Sequence, residues 1–208
     1  MADLIPFLGK LFYPHRIWHA SRKEKVLYLT FDDGPIPEVT PWVIELLDKF
    51  KAKATFFCIG ENIQKHPAVF QSILDKEHRV GNHTLQHVNG WKTSSEEYLD
   101  QIHSTQEIIN TYVSTSAKAL FRPPYGKATS SQAKMILKEY EMVMWDVLSK
   151  DYDAQLSKEN CWKRVQNYTK NGSILVFHDS LKAKKNLRYV LPKVLAHYSK
   201  LGYRFDAL

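Results

Sequence analysis

The chain has 208 residues, 44% of them hydrophobic and 25% charged, which suits one globular domain and excludes a disordered chain. No apolar run approaches the ~20 residues needed to span a bilayer. Two cysteines, Cys58 and Cys161, are too few for a disulfide framework and read as buried thiols. The formal charge of +7 fits either an anionic partner or a solvated lysine-rich surface. Nucleic acid is not the expected partner, because neither an arginine-rich helix nor an aromatic RNA-binding motif accompanies the charge. Residues 1–25 are expected to form an extension packed on a domain of residues 26–208. Their apolar stretch has no basic residue before it and is broken by Lys10, so no export signal is read. The cytoplasm is the expected location, with export or the cell envelope the alternative if a longer precursor exists.

In chain order, VLYLTF at 26–31 is a continuous apolar run of the kind expected for a strand covered on both faces. A helix over 40–50 follows, with Thr40 as N-cap, Pro41 in its first turn, and Val43, Leu46, Leu47 and Phe50 at helical spacing. ATFFCIG is the second strand. The pattern continues with a helix over 67–76, a strand near 78–83, and a helix towards Tyr112 opened by a capping box of Ser94 and Glu97. Then come a strand at ALFRP, a helix over 131–140, a strand at EMVMWDV, a helix over 158–169, a strand at SILVFH, a helix over 187–200 and a strand at YRFDA. Strict alternation predicts a parallel sheet, either doubly wound and open or closed as a barrel.

Reactive side chains gather where the apolar strands end: Asp32 and Asp33, then His83, Arg122, Trp145 with Asp146, and His178. Convergence from so many strands suits an irregular barrel of roughly seven β/α units better than an open sheet. In HTLQH, His83 and His87 are four residues apart, so a helical turn would set them on one face, close enough to share an ion. Such pairs also arise by chance in a chain with nine histidines. A zinc-protease helix carries its base inside HExxH; this motif has Thr84 there. TFDDGP at 30–35 offers the missing parts, with Asp33 a third ligand to a divalent ion and Asp32 a base kept off it. A plain turn at Asp33 and Gly34 is the simpler alternative.

With TFDDGP, HTLQH, FRPPYG, WDVLSKDYD and VFHDS in this order, the chain resembles the polysaccharide deacetylases with NodB homology, the fourth family of carbohydrate esterases, from residue 26 to the end. The resemblance implies a distorted (β/α) barrel and hydrolysis of N-acetyl or O-acetyl groups on carbohydrate such as chitooligosaccharide or peptidoglycan glycan. It implies one divalent metal, Zn2+ before Co2+, Ni2+ or Mn2+, on Asp33, His83 and His87. Asp32 becomes the base that acts on a metal-activated water and Arg122 its support. The Tyr125 N–H becomes the oxyanion donor, His178 the acid and Asp151 the carboxylate that tunes it. Pro123, Trp145 and Tyr152 are the expected substrate-binding residues, and Trp91 and Tyr125 could also offer a face to a sugar ring. Two departures stand out: Leu148 replaces the first aspartate of the usual Asp-x-x-Asp-Trp stretch, and Tyr152 replaces its tryptophan. The alternatives are an amidohydrolase acting on a small non-sugar amide and an inactive carbohydrate-binding domain.

Overall fold

The computed structural model describes residue 9, residues 11–114 and residues 117–208; residues 1–8 and 10 of the expected extension lie outside them. Its strands are β1 (Val26–Asp32), β2 (Ala54–Cys58), β3 (Arg79–Asn82), β4 (Ala119–Phe121), β5 (Tyr140–Met142), β6 (Val147–Leu148), β7 (Ile174–His178) and β8 (Arg204–Phe205). Between them run α1 (Thr40–Lys49), α2 (Gly60–Lys65), α3 (Pro67–Asp75), α4 (Ser95–Asn110), α5 (Ser130–Glu139), α6 (Lys158–Tyr168) and α7 (Lys184–Lys200). All strand pairs are parallel, in the order β5-β4-β3-β2-β1-β7-β6, with β8 beside the start of β1. The fold is therefore the distorted α/β barrel of about seven parallel strands that the resemblance implies, and a barrel is what the strand-end pattern predicts. Among the described residues no helix is long and apolar enough to cross a membrane.

The two-residue period of β1 places the site. Leu27, Leu29 and Phe31 pack in one buried cluster with Leu47, Val190 and Leu191 from the helices, and Phe31 stacks on Phe56 and Phe177 at 5.0 and 5.9 Å. Full burial of such side chains contributes about 1.5–3 kcal/mol each. The alternate residues Thr30 and Asp32 share the other face, where one arginine binds both. A strand apolar on its outer face thus delivers a carboxylate to the barrel interior.

Several local expectations are corrected. Thr40 is the first helical residue and caps nothing; its hydroxyl accepts the Ile36 N–H (2.8 Å) and donates to Asp179 (2.5 Å). Ser94 does accept the Glu97 N–H, but the complete capping box joins Thr129 and Gln132. The strand expected over 141–147 is two strands, because β5 pairs with β4 at one end of the sheet and β6 with β7 at the other. The short helix α2 had no periodic signal. Residues 17–20 span the gap between β5 and β7. The Ile17 N–H donates to Met142 (2.8 Å), the Met144 N–H to Ile17 (2.7 Å), and the Ala20 N–H to Gly172 (2.9 Å). Cys58 and Cys161 are both free and buried.

Candidate active site

Arg122, at the end of β4, is the largest fully buried side chain among the described residues. Burying a guanidinium is costly unless every donor is used. Here it donates to Thr30 Oγ1 (2.7 Å), Asp32 Oδ1 (2.6 Å), Met144 O (2.9 Å) and Val143 O (3.3 Å), and lies 4.1 Å from the centre of the Phe57 ring. Burial alone would raise the Asp32 pKa, but the Arg122 charge, with His83 and His178 behind it, holds it below the ordinary carboxylate value. Asp32 is therefore held as a buried, ionised carboxylate at the cleft wall.

One residue on, the backbone turns left-handed at Asp33 (φ 80°), and Asn62 Nδ2 donates to the Asp33 carbonyl at 2.7 Å. This turn lets neighbouring carboxylates serve one cleft, which a regular strand forbids. Asp33 Oδ1 lies 3.3 Å from His87 Nε2 and 3.8 Å from His83 Nε2, and the three ligand atoms all fall within 4.8 Å of one another. HTLQH is not the helical turn that the i, i+4 spacing suggests. Asn82 Oδ1 accepts the Thr84 N–H at 3.0 Å, and both Thr84 and His87 are left-handed (φ 66° and 56°), so a loop brings the imidazoles to 5.1 Å between centroids.

The donor set fits a divalent cation. His83 Nδ1–H donates to the Arg122 carbonyl at 2.7 Å, which leaves the Nε2 lone pair facing Asp33. Burial pushes the His83 pKa down to about 4 and lowers that of His87, so both rings are neutral ligands at pH 7. Asp33 Oδ1 is buried without a hydrogen-bond partner. An orphaned carboxylate oxygen costs on the order of 1–3 kcal/mol, and a cation would satisfy it.

His178 ends β7, opposite Asp32 in the β1–β7 register. Its Nδ1–H donates to Asp151 Oδ1 (2.7 Å) and its backbone N–H to Oδ2 (2.9 Å). Burial would depress this imidazole, but the charge and hydrogen bond of Asp151, joined by Asp33 and Asp32, carry its pKa up to about 9. The buried Asp151 is held through the Ser149 hydroxyl, which accepts its N–H (3.2 Å), and Asn186, which donates to its carbonyl (3.1 Å). Tyr152 meets the His178 ring edge-on at 4.7 Å.

One cleft of about 310 Å³ gathers Asp32, Asp33, His83, His87 and His178. Of the expected substrate-binding residues, Pro123, Trp145 and Tyr152 also line it, as does Tyr125. Arg122 and Asp151 stand behind the wall. Tyr125 is left-handed (φ 59°), and the hydrogen bonds closing its turn use the N–H groups of Gly126 and Lys127, leaving its own outside them. Asp146 does not join the strand-end cluster, because Arg22 (2.8 Å) and Ser173 (2.5 Å) hold its carboxylate elsewhere. Of the basic residues after VFHDS, Lys182 lines the cleft, its ammonium 5.6 Å from the Tyr152 ring centre.

Asp179 went unread although it lies inside VFHDS. Fully buried, it accepts the Gly34 N–H (3.1 Å) and the Thr40 hydroxyl (2.5 Å), and its own N–H donates to the Asp32 carbonyl (3.1 Å). A Cβ at Gly34 would fall 2.1 Å from Asp179 Oδ2, so the glycine of TFDDGP is needed for this contact. The one available signal was that glycine beside two carboxylates.

Comparisons with known proteins identify the family and the fold. The family model described as polysaccharide deacetylase matches residues 19–145, which include Asp32, Asp33, His83, His87 and Arg122. A peptidoglycan-N-acetylglucosamine deacetylase of Bacillus cereus is 33% identical over 190 residues, 90% of this chain and 88% of that protein. A chitooligosaccharide deacetylase of Azorhizobium caulinodans is 34% identical over 161 residues, 76% of each chain. The backbone is similar to the crystal structure of a peptidoglycan N-acetylglucosamine deacetylase, with a TM-score of 0.88, 30% identity, and coverage of 96% of this chain and 94% of that one. A family match over more than half the chain and a shared fold over nearly all of it lead to one conclusion: the chain belongs to the polysaccharide deacetylase family of carbohydrate hydrolases.

Proposed function

We propose that the chain is a metal-dependent deacetylase of N-acetylated or O-acetylated carbohydrate such as chitooligosaccharide or peptidoglycan glycan. The observation that carries this is a carboxylate paired with Arg122 and an imidazole paired with Asp151 on adjacent strand ends, in the cleft that holds Asp33, His83 and His87. Those three residues would hold one divalent cation, Zn2+ first and Co2+, Ni2+ or Mn2+ next. When bound, the cation supplies Lewis acidity, lowering the pKa of water towards ~7 and polarising the acetyl carbonyl.

Asp32 accepts the proton of the attacking water, and Arg122 keeps it anionic and aimed. The Tyr125 N–H serves as a donor to the carbonyl oxygen as charge develops there. His178, oriented by Asp151, delivers a proton to the sugar nitrogen as the C–N bond breaks, because an amine leaves poorly until protonated. Acetate and a free amine result. Pro123, Trp145 and Tyr152 form walls for the sugar. A pure binding domain has no use for a base and an acid held in this way, which favours the enzyme reading.

The test is acetate release from chitooligosaccharides, peptidoglycan fragments and acetylated xylan. Release is expected with zinc, lost with chelator and restored by zinc. No release from any of the three by metal-loaded protein would overturn the proposal.

A further inference from the structure

Trp91 stands outside the cleft and is 64% exposed, yet its position is firmly held. It belongs to a 3₁₀ turn, Gly90–Lys92, in which Asn89 Oδ1 accepts the Trp91 N–H (3.0 Å) and the Asn89 carbonyl accepts the Lys92 N–H (2.8 Å). Gln132, buried, donates from Nε2 to the carbonyls of Gly90 (2.9 Å) and Thr93 (3.1 Å), while its Oε1 accepts the Thr129 N–H (2.9 Å). A Cβ at Gly90 would lie 2.5 Å from the Lys127 carbonyl oxygen, so the turn rests directly on the backbone that leaves the cleft. Lys127 follows Tyr125 and Gly126, which line that cleft, and its ammonium lies 4.8 Å from the Trp91 ring centre.

A large indole left in water forgoes the burial that stabilises other aromatic residues. Here a buried glutamine and a sterically required glycine hold it there. With the Lys127 ammonium over one face, the indole's other flat apolar face and that cationic donor suit a ligand that has apolar C–H faces and a hydroxyl rim, which describes a pyranose ring. We propose that Trp91 and Lys127 form a second glycan-binding position, which takes a sugar further along the chain whose acetylated residue occupies the cleft. This rests on the deacetylase reading and adds to it two residues of this chain that hold the glycan away from the reacting acetyl group. Tyr125, 60% exposed and edge-on to His87 at 4.7 Å, lines the cleft and stands two residues before Lys127.

The experiment compares Trp91→Ala with the parent protein, zinc-loaded, on N-acetylated chitopentaose and chitobiose. On the pentamer kcat/KM is expected to fall about tenfold, with the loss mainly in KM. On the dimer it should stay within about twofold, and Trp91→Phe should recover most of the loss. Equal losses on both lengths, or none on the pentamer, overturn the proposal. Calorimetric binding of chitopentaose to Asp32→Asn, with and without Trp91→Ala, decides the point without turnover. If chitooligosaccharides, peptidoglycan fragments and acetylated xylan all go unhydrolysed while Trp91→Ala still weakens pentamer binding, the deacetylase reading fails and the glycan position stands. If Trp91→Ala leaves binding unchanged, or the pentamer does not bind, the glycan position fails.

Discussion

Two buried carboxylates meet two cations in this cleft at nearly the same distance, Asp32 with Arg122 at 2.6 Å and Asp151 with His178 at 2.7 Å, and the pairs have opposite acid–base character. Arg122 cannot lose its proton, so its charge fixes the carboxylate as an anion. His178 can lose its proton, so Asp151 acts on the imidazole and raises it. Orientation completes the contrast. In the first pair the carboxylate lines the cleft and the cation stands behind; in the second the imidazole lines it and the carboxylate stands behind. On the proposed mechanism the same ion-pair chemistry serves as a base from β1 and an acid from β7, according to which partner faces the cleft.

Asp32→Asn should break the comparison most severely. It leaves the ligand trio intact but removes the proton acceptor, so kcat should fall by about 10²–10⁴ with zinc affinity little changed. Turnover near the parent rate, measured by acetate release, would remove Asp32 from the role of base.

Asp151→Asn probes the other pair. Because the folded His178 pKa is raised to about 9, the protonated ring adds stability in full below the unfolded value near 6.5, and this is lost as pH rises through about 9. The variant should move the basic limb of kcat/KM to lower pH by at least about one unit, since only the Asp33 and Asp32 charges then oppose burial. It should also flatten the decline of Tm between pH 7 and 9. An unmoved limb would separate His178 from the acid step.

The smallest effect is expected at Asp179, which belongs to neither pair. Burial, then the Asp33 and Asp32 charges, push its pKa up to about 7 against the Thr40 hydrogen bond. A carboxyl raised in the fold stabilises in its protonated form below about 4, and that contribution fades as pH rises through about 7. Chelator-treated protein should therefore lose Tm from pH 5 to 8, while Asp179→Asn loses less, at roughly 2–4 °C per kcal/mol for a chain of this size. Parallel Tm profiles would contradict the raised pKa.

Much of the barrel was legible because its strands are covered on both faces. VLYLTF and SILVFH are apolar runs that become β1 and β7, and each ends in the polar residues that line the cleft. Errors collected where local pattern and tertiary demand part. EMVMWDV is apolar enough for one strand, but it has to pass from one end of the sheet to the other and is divided. Thr40 has the chemistry of a cap but is drawn to Asp179, distant in sequence. His83 and His87 have helical spacing, but the Asn82 side chain and two left-handed residues make the loop.

By itself, the sequence determined the alternation of strands and helices, the polar residues at the strand ends, and which of those residues carry donor, acceptor or ligand chemistry. These follow from hydrophobic periodicity and side-chain type, both of which act over a few residues. Only the tertiary structure decided that Asp179 grips Gly34 and that residues 17–20 span the gap between β5 and β7, and it gave the distance of the Arg122–Asp32 contact, implied by the resemblance, across 90 positions. Those pairings satisfy buried charges and backbone groups between segments far apart in sequence, so they are set by the order of the strands in the sheet.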